Sequence, residues 1–73
     1  NQYNAPSMLV NQGKAFVPYF DKSFVKIWSD NVTFEAEFFL LYKNILLRVL
    51  ASPLNSDTKP TLDQFLGSIR VID

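Results

Sequence analysis

The sequence predicts a small, mainly α-helical domain, a bundle of three to four short helices around a central apolar helix at about 32–51. Three observations predict it. The stretch Phe34 to Ala51, FEAEFFLLYKNILLRVLA, holds thirteen apolar residues in eighteen, interrupted only by Glu35, Glu37, Lys43, Asn44 and Arg48. It is rich in Leu and Phe rather than in Val, Ile and Thr, and Leu favours helix. Apolar residues also recur at helical spacing on both sides of it.

Taken in order, Asn4 and Pro6 suit the start of a short helix, and Gly13 suits its end, giving Ala5 to Gln12. The competing reading pairs Met8 to Val10 with Ala15 to Val17 as a hairpin across Asn11-Gln12-Gly13-Lys14. From Phe20 to Trp28, the residues Phe20, Phe24, Ile27 and Trp28 fall at i, i+4, i+7 and i+8, as in an amphipathic helix with Asp21 near its positive end.

Ser29-Asp30-Asn31 then supplies cap and turn residues for the central helix. Glu35 and Glu37 lie near its start, and Lys43 and Arg48 toward its end, the order that complements a helix dipole. Ser52-Pro53 stops it, because the residue before a proline is pushed out of the α region. The alternative is a strand at 32–38, where Val32, Phe34, Ala36 and Phe38 alternate with Thr33, Glu35 and Glu37. With that strand the class becomes α+β, a small antiparallel sheet with one or two helices. A last helix starts near Pro60, capped by Thr58 or through Thr61 and Gln64, and carries the stripe Leu62, Phe65, Leu66, Ile69 and Ile72. A break at Gly67 would leave a strand at 68–72 instead.

Composition restricts the chemistry. At 73 residues the chain is one domain, 1–73, and its opening Asn1 points to a piece excised or processed from a longer polypeptide. No compartment is assigned. With neither cysteine nor histidine, disulfides, thiolate zinc sites and the commonest nucleophiles and bases are excluded together. Glu35 and Glu37 stand about 200° apart on a helix and do not converge. The two glycines, Gly13 and Gly67, build no phosphate loop, and Asp57 and Asp63 lack the ligand spacing of a calcium loop. The expectation is therefore no enzyme, no cofactor, no metal and no small-molecule substrate. The central run reaches only about 27 Å as a helix, short of a bilayer span.

Two motifs remain. Asn31-Val32-Thr33 is a glycosylation sequon, although capping explains the same residues. Lys22 and Lys26 lie among Tyr19, Phe20, Phe24 and Trp28, the mixture a weak nucleic-acid-binding module would use. Seven basic residues balance seven acidic ones, so no global field draws in a polyanion. On a helix, Glu37, Asn44 and Arg48 form a narrow polar seam interrupted by Leu41, which leaves the element apolar almost all round and in need of cover. The leading expectation is a non-catalytic protein-interaction or assembly module, acting through a protein partner or self-association, with Trp28, Phe34, Leu41 and Arg48 in the contact.

Overall fold

The computed structural model describes residues 7–72. It is mostly β: four antiparallel strands in one sheet, in the order β1-β2-β3-β4, followed by a single short helix. The strands are β1 (Met8–Lys14), β2 (Lys22–Ser29), β3 (Phe34–Tyr42) and β4 (Ile45–Ala51), and the helix is α1 (Lys59–Ser68). Side chains alternate across a strand, and directly paired residues share a face, so the register sorts the sheet into two surfaces. Ala36 pairs with Ile27 and Ala51, Phe38 with Val25 and Val49, and Leu40 with Ser23 and Leu47. These form the inner face. Glu37 pairs with Lys26 and Leu50, Phe39 with Phe24 and Arg48, and Leu41 with Lys22 and Leu46, which form the outer face. Along β1 the register slips between Leu9 and Asn11, so Val10 is a bulge, the edge-strand device that disfavours further pairing.

The core lies on the inner face. Leu40 is fully buried and clusters with Val17 and Phe20, against which Phe38, Tyr42, Leu47, Val49, Leu66 and Ile69 pack. Val17 and Phe20 come from the β1–β2 connection, which folds inward through a turn closed by the Phe20 amide donating to the Val17 carbonyl at 2.9 Å. Pro18 suits the second position of that turn because its φ is preset. Tyr19 stacks on Tyr42 with ring centroids 4.9 Å apart, tying the connection to the end of β3. From the other side α1 contributes Leu62, which is buried, and Leu66.

Local chemistry places the turns. Between β2 and β3 the Asp30 carboxylate accepts hydrogen bonds from the Val32 and Thr33 amides, at 3.0 and 2.8 Å, while Asn31 takes a left-handed φ of 77°. Asn tolerates that region better than most residues. Lys43, at φ 56°, opens the two-residue turn between β3 and β4, and its amide donates to Asp21 Oδ2 at 2.6 Å. Before α1, Asn55 Oδ1 accepts from the Asp57 and Thr58 amides, and Thr58 Oγ1 donates to the Pro53 carbonyl.

This architecture overturns the helical bundle. The central helix at about 32–51 does not form; its residues make β3, a turn at Lys43 and Asn44, and β4. The alternation that begins at Val32 continues through Tyr42, but Phe39 and Leu41 make the outer positions apolar too and erase it from the sequence. Tertiary pairing then overrides the helix preference of Leu. The amphipathic helix at Phe20 to Trp28 is also absent. Its spacing coincides with a strand in which Phe24 and Trp28 face outward while Val25 and Ile27 face the core.

The helix over Ala5 to Gln12 is replaced by β1 from Met8 on, while Asn1 to Pro6 lie outside the described residues. The hairpin alternative there also fails, since the partner of β1 is β2. The last helix forms, starting at Lys59 with Pro60 in its first turn, but it ends at Ser68, so Ile69 is extended and Ile72 lies exposed beyond it. Neither the Thr58 side chain nor a Thr61–Gln64 box caps it: Thr58 makes no cap hydrogen bond, and Thr61 is inside the helix. Gly67 lies within α1, so the break and the strand at 68–72 do not occur.

Among the described residues Leu40 is the one large side chain with no exposure, so Leu40→Ala should cost about 2–5 kcal/mol. Against the 5–15 kcal/mol typical of a domain this is a large share. Thermal melts should show a fall in midpoint of at least roughly 10 °C; a shift of a degree or two would contradict this placement of the core.

Candidate functional site

The β1–β2 connection and α1 cover the inner face, and among the described residues the outer face lacks such a layer. At its centre, Glu37 is buried although it stands on the open side, because its neighbours close over it. Arg48 Nε donates to Glu37 Oε2 at 2.5 Å, and Trp28 Nε1 donates to Glu37 Oε1 at 3.0 Å. Lys26 is paired directly across from Glu37 and sets its ammonium 5.7 Å from the centroid of the Phe39 ring. One carboxylate thus organises a residue from each of two neighbouring strands. The hydrogen bond from Arg48, that from Trp28 and the charges of Arg48 and Lys26 outweigh burial and hold the Glu37 carboxyl below the usual glutamate value.

Around this polar centre the face is apolar. Leu46 and Leu50 are 63% and 54% exposed, and Phe24 is 38% exposed. At the end nearest the β1–β2 connection, Phe24, Phe39, Leu41 and Leu46 line a groove of about 770 Å³, with Phe16, Lys14 and Lys22 also bordering it.

The residues singled out by sequence divide accordingly. Trp28, Leu41 and Arg48 share the outer face, whereas Phe34 points to the other side, half exposed at the beginning of β3. Leu41 is half-buried, neither bare nor enclosed. Lys22 and Lys26 lie on the outer face with Phe24 and Trp28, in strict alternation along β2. Sequence reasoning missed Phe39, Leu46 and Leu50 as surface residues and Glu37 as an organising centre, and placed Phe24 at the surface only in the nucleic-acid reading. The period-2 order Lys22, Phe24, Lys26, Trp28 was the available signal. Asn31 of the sequon is exposed in the β2–β3 turn, and the Thr33 hydroxyl donates to Asp30. Among the described residues, no cluster of three or more acidic, His or Cys side chains could hold a metal ion, and no helix is long and apolar enough to cross a membrane. The fold and the face define a class, a one-layer antiparallel sheet backed by a single helix. Compared with known protein families, curated proteins and solved structures, the chain matches none.

The Asp30 carboxyl is also held below its ordinary value, first by the Thr33 amide and then by the Val32 amide. For both groups the folded state binds fewer protons than the unfolded one, so the stabilisation is present at neutral pH and lost as the pH falls below the ordinary value of each, 4.5 for Glu37 and 3.8 for Asp30. Melting temperature should therefore drop between pH 7 and pH 3.5, and Glu37→Gln, which cannot lose a charge there, should drop less. Equal drops for the two proteins would remove Glu37 from the acid response.

Proposed function

We propose that the chain is a non-catalytic protein-interaction module whose contact surface is the outer face of the sheet. The observation that carries this reading is the exposure of Leu46 and Leu50 beside Phe24 and Leu41 on the uncovered face. Each large apolar side chain moved out of water contributes roughly 1.5–3 kcal/mol, so three or four of them are ample to drive a specific association. The polar centre supports it further: Glu37 holds Trp28 and Arg48 in place, and tryptophan and arginine are the residue types that most often anchor protein interfaces. The contact surface lies on the sheet because no central helix exists to carry it.

A neutral apolar dye such as Nile red should bind the folded protein and gain emission. The double variant Leu46→Glu, Leu50→Glu should abolish that gain while shifting the melting temperature by only a few degrees, since both side chains already face solvent. A folded protein that leaves the dye dark, or a variant that binds it unchanged, would count against the outer face as the contact surface.

A further inference from the structure

We infer that the partner presents an acidic segment with an apolar anchor, and that this segment docks in the groove at the Lys14 and Lys22 end of the outer face. The inference rests on the reading of that face as the contact surface and adds the chemistry of what it receives. Although the chain is neutral overall, its charge is segregated. Lys14, Lys22, Lys26 and Arg48 stand on the outer face against Glu35 and Glu37. Four of the seven basic residues and two of the seven acidic ones are therefore there, leaving the rest of the chain with more acids than bases. Arg48 is paired with Glu37, whereas Lys14 and Lys22 make no ion pair among the described residues. Both border the groove, whose floor of Phe24, Phe39, Leu41 and Leu46 is apolar. The acid at that groove, Asp21, has its carboxylate on the Lys43 amide. A segment that places Phe or Leu on the floor and carboxylates at the rim satisfies both features.

Two other occupants fit less well. A single-stranded nucleic acid needs flat aromatic faces for its bases. Here Lys26 stands over the Phe39 ring, the Trp28 indole is tied to Glu37, and the most exposed apolar groups on the strands of the face are the aliphatic Leu46 and Leu50, with Phe16 of the β1–β2 connection the strongly exposed aromatic ring at the groove. Glu35 and Glu37 would also oppose phosphates. A second copy related by a two-fold axis would set a net-positive patch against itself.

The test is selection of a random dodecapeptide library on the intact chain at about 50 mM salt, followed by fluorescence anisotropy of a labelled enriched peptide and amide shift mapping. Expected are sequences with two or more Asp or Glu around a Phe, Leu or Trp, and shifts at Phe24, Leu41 and Leu46. Affinity should fall roughly tenfold in the double variant Lys14→Glu, Lys22→Glu, and several-fold at about 500 mM salt. Lys59→Gln, on the exposed side of α1, should bind as the parent does. The inference is overturned by non-acidic sequences, by indifference to the lysine reversal, by failure to enrich any peptide, or by tight binding of labelled oligothymidylate at the same residues. Non-acidic peptides that still shift outer-face amides would leave the proposed function standing; peptides that shift only α1 would overturn both.

Discussion

A single ten-residue helix, about 15 Å long, cannot cover both faces of a four-stranded sheet, and the rest of the structure follows from this shortage. It does not even cover one face alone. The β1–β2 connection supplies the remainder by turning Val17 and Phe20 into the core beside Leu40, while α1 adds Leu62, Leu66 and Ile69 contributes just past its end. Among the described residues, the helix and the buried part of the connection are thereby committed to the inner face, while Phe16 of the connection borders the groove on the outer one. The outer face has to coexist with water by its own chemistry.

Glu37 makes that coexistence workable. A carboxylate on the middle strand draws Arg48 from β4 and Trp28 from β2 over the sheet, and Lys26 lies alongside. This interrupts what would be an apolar surface running from Phe24 to Leu50. It also divides the face into a basic, grooved end near Lys14 and Lys22 and an end where Glu35 stands opposite Trp28. Stability and recognition are thus linked through one side chain. Arg48 remains largely exposed while paired, so a partner can still reach it.

Much of the fold was hidden in the sequence for an identifiable reason. A strand announces itself by alternation, and alternation needs one polar face. β3 has it from Phe34 to Phe38 and loses it where Phe39 and Leu41 occupy outward positions; β4 carries only Arg48 among its outward leucines. Such segments read as a buried helix, and Asn44, which lies in the hairpin turn, reads as part of its polar seam with Glu37 and Arg48. In β2 the interleaving of Lys22 and Lys26 with Phe24 and Trp28 matched helical spacing by coincidence. α1 was legible because Pro60 and the spacing of Leu62, Phe65 and Leu66 fit a helix, although it stops at Ser68 and leaves Ile69 and Ile72 of the stripe beyond it. Of the candidate site, Trp28, Leu41 and Arg48 were legible as residues but not as neighbours, since their common face exists only in the sheet, and Phe34 falls on the opposite one.

The central claim is that one face of the sheet is covered and the other open. Paramagnetic broadening of methyl resonances by an inert soluble gadolinium chelate, measured on the dilute isolated chain, tests it directly. Strong broadening of the Leu46 and Leu50 methyls, with Leu40 and Leu47 protected, is the predicted result. Protection of Leu46 and Leu50 equal to that of Leu40 would mean that the outer face is already covered, and would contradict the account.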